Sequence, residues 1–307
     1  MKNVVLGLAR NEHVKRFAVA FPPARAVVDR FVPGETTDDA LDAVRRLSAS
    51  GIHATLDHLG EYAGTTELVD AQVAEYLRLL ERLGAEGLSG WAEVSVKASA
   101  LGLALPDGQR VSLANALRIC AAADAVGTTV TIDMEDHADT DATIALVEAC
   151  REEFPRTGGV LQAMLKRTTD DCLRLSGPGS RTRICKGAYD EPASVAHTKS
   201  ADIKRAYLTC LRILLRGDGY PMIATHDPAL IKAAQEYLDL LDRPVDSYEF
   251  QLLYGVRPGE ERRLAAAGHT VRVYVPYGTD WYGYFVRRLA EKSSNFGLLV
   301  RALLSRA

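Results

Sequence analysis

The sequence predicts an α/β fold, a distorted (β/α)8 TIM barrel preceded by additional N-terminal helices. Three observations carry that expectation. Eight short stretches rich in β-branched and aromatic residues recur along the 307 residues. A helix-like segment follows each after a short connection, the rhythm of a parallel sheet closed on itself. Neither GxGxxG nor GxxxxGK[ST] occurs, and an open doubly wound sheet would place such a loop after an early strand.

Taken in order, residues 1–30 mix polar and apolar side chains at helical spacing and read as helical. The segment FVPGETTDDALDAVRRLSASG (31–51) supplies a turn, a capping Thr or Asp, and an amphipathic helix that stops at Gly51. Strands follow at 53–57, 92–98, 130–135, 160–165, 182–186, 222–225, 248–253 and 271–277. Helices are expected at 66–83, 113–125, 140–154, 200–216, 228–241, 258–267 and 281–292. The shortest candidate, at 170–175, lies between the fourth and fifth strands. No linker rich in Pro, Gly or Ser divides the chain. The expected organisation is a helical arm, residues 1–50, packed on a barrel formed by residues 51–307.

Composition narrows the function classes. Hydrophobic residues at 47% and charged residues at 25% are ordinary for a soluble globular protein. A net charge of -3 gives no broad attraction to nucleic acid or anionic membrane. No apolar run approaches the roughly eighteen residues a membrane span needs. Lys2, Arg10, Glu12, Lys15 and Arg16 interrupt any signal-peptide core. Five cysteines, at 120, 150, 172, 185 and 210, show no CxxC spacing and read as reduced thiols. A cytoplasmic protein is expected, with peripheral attachment to the inner face of the cell membrane left open.

Barrel chemistry sits at the C-terminal ends of the strands. The sequence puts a ring of polar groups there: Asp57 and His58, Lys97, Asp133 to His137, then Gln162 with Lys166 and Arg167. It continues with Arg183, Lys186 and Tyr189, with Thr225 to Asp227, with Glu249 and Gln251, and with Tyr274 and Tyr277. Burying such charges without partners costs several kcal/mol each, so a polar ligand or an ion-pair network is implied. Beyond the last strand, Arg287 and Arg288 stand side by side with Glu291 one turn later. Guanidinium grips a carboxylate through two parallel hydrogen bonds. The nearby tyrosines suggest a compact, partly apolar acid; an ordinary amphipathic helix with surface arginines is the alternative. His137 and His226 lie near carboxylates, but no HExxH spacing supports a metal site, and none is expected. No serine sits in a GxSxG elbow. The lysines and arginines at strand ends instead suit a phosphate-bearing cofactor or a phosphorylated substrate. A Schiff-base lysine at Lys97 or Lys186, and a binding protein without turnover, stay open at this point.

Eight motifs resemble one family, the proline dehydrogenase (proline oxidase) flavoenzymes. They are SVKASALG (95–102), DMEDH (133–137), LQAMLKRT (161–168), RICKGAYDE (183–191), ATHD (224–227), EFQLLYGVR (249–257), RVYVPYG (272–278) and WYGYFVRRLAEKSSN (281–295). They keep the family's order, and without the second dehydrogenase domain of some bacterial relatives the chain looks monofunctional. The resemblance implies a barrel that binds FAD and oxidises L-proline to Δ1-pyrroline-5-carboxylate. That is the first step of proline catabolism to glutamate. Hydride would pass to flavin N5, and electrons would go on to a quinone.

Carried over position by position, Arg287 and Arg288 hold the proline carboxylate, and Glu291 orients or neutralises an arginine. Lys97 lies near substrate and flavin, Asp133 borders the substrate, and Tyr274 stacks over the ring with Tyr277 nearby. Asp133, Met134, Gln162, Arg183, Lys186, Gly187, Ala188, Tyr189, Thr225, His226 and Gln251 match flavin-contact positions. The family often has tyrosine where Met164 stands and leucine where Ile184 stands. No catalytic role is given to Met164, and Ile184 is expected to fill the same volume.

Overall fold

Parallel strands in chain order build a closed barrel: β1 (His53–His58), β2 (Ala92–Lys97), β3 (Val130–Asp133), β4 (Gly158–Gln162), β5 (Arg181–Cys185), β6 (Tyr220–Ala224), β7 (Glu249–Leu253) and β8 (Val271–Tyr277). β8 pairs with β1 from His53↔Arg272 to His58↔Tyr277 and completes the ring. The computed structural model describes residues 28–60 and 63–284. Its helices are α1 (Thr37–Ser48), α2 (Thr66–Ala85), α3 (Gly108–Ala125), α4 (Thr140–Glu153), α5 (Thr168–Arg174), α6 (Ser200–Arg216), α7 (Pro228–Leu240) and α8 (Pro258–Ala266). This is the expected (β/α)8 architecture, with an additional helix before β1.

Period-two alternation sorts the side chains. Leu56, Val94, Val96, Ile132, Ile184, Ile223, Phe250, Val273 and Val275 are buried in the core shared with the helices. Each such apolar side chain contributes about 1.5–3 kcal/mol by leaving water. Ile184 is fully buried there, in keeping with a volume-filling role. α1 opens with a reciprocal cap: Thr36 accepts from the Asp39 N–H, and Asp39 accepts from the Thr36 N–H. Its buried face, Ala40, Leu41, Ala43 and Val44, belongs to the same core and packs against β1 and β8.

Several boundaries differ from the sequence expectation, most clearly those of β4 and α3. β4 starts at Gly158 rather than 160. A Cβ at Gly158 would come within 2.5 Å of Thr131 Oγ1, and one at Gly159 within 3.1 Å of Val147. Close approach to β3 and α4 therefore needs glycines that a β-propensity reading discounts. Past Gln162 the chain leaves the ladder, and Leu165 forms an isolated antiparallel bridge with Ala196. α3 starts at Gly108 rather than 113, after a left-handed Asp107 that makes no side-chain cap, so no capping signal marked it. Residues 281–284 are helical; the rest of the segment expected at 281–292 lies outside the described residues, as do the helices expected over 1–27.

The barrel interior is charged where branched apolar side chains would be usual. Glu93, Arg181, Glu249 and Arg272 form a buried layer at the N-terminal end. Arg181 Nη1 donates to Glu93 at 2.9 Å, and Arg272 Nε to Glu249 at 2.8 Å. The Thr55 and Thr131 hydroxyls donate to Glu93 Oε1 at 2.9 and 3.1 Å. Burial alone would raise the Glu93 pKa, but Arg181, Arg272 and Arg183 hold it down at about 2. Glu249, expected among the strand-end groups at the catalytic mouth, instead begins β7 in this lower layer.

Candidate active site

Strand parity aims one side chain from almost every strand into the C-terminal mouth. Asp57, Lys97, Asp133, Gln162, Arg183, Gln251 and Tyr274 all line a cavity of about 540 Å³. That volume falls within the usual range for small-molecule sites, roughly 300–1,000 Å³. Met134, Lys186, Gly187, Ala188, Tyr189, Thr225 and His226 line the same cavity. The structure therefore brings together every residue matched to flavin contact, and it adds Lys97 and Tyr274.

Asp133 is the hub. Its Oδ1 accepts from Ser95 Oγ at 2.8 Å and from Arg183 Nη1 at 2.6 Å. Its Oδ2 accepts from Tyr274 Oη at 2.7 Å. Arg183 also donates through Nε to Gln251 Oε1, and its guanidinium lies 5.4 Å from the Tyr274 ring centroid, a cation–π distance. Burial first, and the Asp133 carboxylate second, push the Tyr274 phenol well above its ordinary pKa. The phenol thus acts as a neutral donor. Lys97 Nζ donates to Asp57 Oδ1 at 2.6 Å and stands 3.8 Å from Asp133 Oδ2.

The opposite wall belongs to β4, β5 and β6. Gln162 Nε2 donates to the Glu135 carbonyl at 2.6 Å. His226 Nε2 accepts from the Leu253 N–H at 2.8 Å, so a neutral ring carries its proton on Nδ1. Lys186 and Lys204 Nζ each lie 2.8 Å from Asp227 Oδ2. Burial would raise the Asp227 pKa, but hydrogen bonds from the two lysines hold it at about 2. Gly187 has φ +100°, and a Cβ there would meet the Met164 side chain at 2.6 Å. Met164 itself is buried under this turn, against Leu165 and Ala196.

Tyr277 does not join the site. An odd spacing from Tyr274 puts it on the outer face of β8. It is fully buried, its ring centroid is 5.1 Å from that of His58, and its hydroxyl donates to Glu75 Oε1 at 3.2 Å. Arg287, Arg288 and Glu291 lie outside the described residues. Asp57, expected only as a member of the ring of strand-end polar groups and given no role, lines the cavity beside Lys97. The sequence reading passed over Phe31, which lines the cavity from before α1. Among the described residues, no cluster of three or more His, Cys, Asp or Glu is arranged to hold a metal ion. None of their helices is long and apolar enough to cross a membrane.

Comparison with known proteins follows the same span. The family model described as proline dehydrogenase matches residues 40–301. Proline dehydrogenase 1 of Bacillus subtilis subsp. natto is 34% identical over 306 residues, covering 100% of both chains. Proline dehydrogenase of Deinococcus radiodurans is 37% identical over 285 residues, covering 91% of this chain and 90% of that one. Among solved structures, proline utilization A (PutA) from Bdellovibrio bacteriovorus, inactivated by N-propargylglycine, superposes with a TM-score of 0.81 at 22% identity. The match covers 92% of this chain and 34% of that longer chain, and at this identity the likeness concerns the fold.

Proposed function

Because the chain belongs to the proline dehydrogenase family, we propose that it oxidises L-proline to Δ1-pyrroline-5-carboxylate, with FAD as cofactor and a quinone as electron acceptor. The observation that carries this reading is the convergence of Lys97, Asp133, Arg183 and Tyr274, from four strands, on one cavity. Similarity along 100% of both chains to a relative named proline dehydrogenase 1 supports this reading. Residues 1–50 are proposed as an arm on the barrel of residues 51–307.

The cavity residues fit a flavin. Arg183 and Lys186 offer fixed cationic donors, and Arg183 Nη2 is buried without a hydrogen-bond partner among the described residues. At Gly187 the missing Cβ and the left-handed backbone allow close approach. Gln162, Gly187, Ala188, Tyr189, Thr225, His226 and Gln251 would hold the group, with Asp133 and Met134 at its border. When bound, FAD supplies the hydride acceptor for the ring carbon next to the proline nitrogen.

The chain's own residues bind and aim the substrate. Arg287 and Arg288 are proposed to clamp its carboxylate, with Glu291 orienting them, because a bidentate fork fixes direction as well as distance. The Lys97 ammonium adds a second cationic contact. Tyr274, tied to Asp133 and Arg183, presents its ring to the apolar face of the pyrrolidine and excludes water. Electron delivery to a quinone implies brief contact with the inner face of the cell membrane by a cytoplasmic protein.

Absorbance tests the reading. The purified chain should be yellow and should bleach on anaerobic addition of L-proline. Arg288→Lys should retain flavin but lose most proline turnover, since lysine cannot form the fork. A colourless protein that is trapped by borohydride on a carbonyl substrate would replace this reading with Schiff-base chemistry.

A further inference from the structure

Lys97 stands on β2 between two carboxylates, Asp57 on β1 and Asp133 on β3. It is the direct cross-strand partner of Asp133. Its ammonium nevertheless bonds Asp57 at 2.6 Å and stays 3.8 Å from Asp133. The reason is competition. Asp133 already accepts from Ser95, Arg183 and Tyr274, so a further cation there would crowd the Tyr274 hydroxyl. Asp57 is itself buried, and a buried carboxylate needs a partner.

We infer that Asp57 is a positioning residue for this reaction, holding Lys97 on the β1 side of the cavity and leaving Asp133 to Tyr274 and Arg183. The inference rests on the function proposed above. A buried ion pair is often no more stabilising than well-packed apolar residues of the same volume, so stability alone is a weak reason for this pair. Its placement supplies a reason: both members line the cavity. Without Asp57, the nearest acid to Lys97 among the described residues is Asp133. The ammonium then shifts onto Oδ2 and competes with Tyr274 for it. Two contacts with substrate are lost together, the cation at one side and the aligned ring at the other.

A double-mutant cycle tests this, using Asp57→Asn, Lys97→Met and the combined variant in the flavin-loaded enzyme. Kinetics with L-proline, flavin content and thermal unfolding are recorded for each. Asp57→Asn should lower kcat/KM roughly tenfold or more, mainly through KM, with flavin content unchanged. In the Lys97→Met background the same change should cost less than about twofold, because its effect runs through the lysine. Asp57→Glu should recover part of the loss. It also replaces Asp57→Asn in the cycle where the amide variant does not fold. Equal losses in both backgrounds, or wild-type kinetics in Asp57→Asn, overturn the inference while leaving the proposed function intact. A wild-type chain that holds flavin but never oxidises proline defeats the function and this role together.

Discussion

Tyr274 and Asp133 share a 2.7 Å hydrogen bond across the barrel interior, from the eighth strand to the third. The same tyrosine ring faces the Arg183 guanidinium at 5.4 Å. One aromatic side chain is thereby fixed at its polar tip and over its face. Such double anchoring lets a ring act as a rigid wall of a substrate pocket.

Tyr274→Phe keeps the ring and removes the tip. Asp133 Oδ2 then loses its phenolic donor, and the ring is free to tilt. The expected cost is about 1–3 kcal/mol of stability, the usual value for a buried hydrogen bond to a charged group. Steady-state kinetics should show kcat/KM for proline falling roughly tenfold, mostly through KM. Urea unfolding at neutral pH gives the first quantity.

Tyr277→Phe makes the opposite case. Its hydroxyl serves Glu75 outside the strand ring, so deleting it should cost about 1–2 kcal/mol of stability. Turnover should stay within about twofold of wild type, as for a residue that touches no reacting group. A kinetic loss as large as that of Tyr274→Phe would bring Tyr277 back to the substrate.

These two tyrosines also mark how far the sequence was legible. The eight-strand rhythm and the polar strand ends could be read because side chains alternate with period two and helices follow at short intervals. Family resemblance placed Tyr274 and Tyr277 together, yet their odd spacing separates them, and counting parity along VRVYVPY would have shown it. The same counting would have paired Asp57 with Lys97. Other features had no local signal. Gly158 and Gly159 belong to a strand because of what they touch in β3 and α4, not because of their own propensity. The buried layer of Glu93, Arg181, Glu249 and Arg272 depends on registers between strands far apart in the chain.

Gly187→Ala addresses the proposed flavin cradle. The native φ of +100° disfavours any L side chain, and the new Cβ would lie 2.6 Å from Met164. Strain of this kind costs about 1–3 kcal/mol, and relief by backbone movement would shift Ala188 and Tyr189 at the cavity wall. Flavin retained through gel filtration, read as visible absorbance relative to protein, should drop sharply. Met164→Ala in addition should restore only part of it, because it removes the clash and leaves the backbone strain. Full flavin content in Gly187→Ala would exclude close approach at this turn.

Acid stability should depend on Glu93, for reasons fixed by the sign of its shift. The folded-state pKa is about 2 against an ordinary 4.5, because three arginines outweigh burial. Below pH 4.5 the unfolded chain therefore binds more protons than the folded one, and stability falls with falling pH. This contribution is fully present at neutral pH and is lost progressively between pH 4.5 and 2. Glu93→Gln removes it at every pH. It leaves Arg181 and Arg272 with Glu249 as their remaining acid in the buried layer, so a loss of about 3–5 kcal/mol at neutral pH is expected. Its stability should then decline less steeply than that of wild type as the pH drops from 5 to 3. Residual slope should persist from Glu249 and Asp227, whose pKa values are also depressed. Urea-unfolding series at several pH values check both parts. Parallel curves for the two proteins through the acid range would show that Glu93 is not the group that titrates.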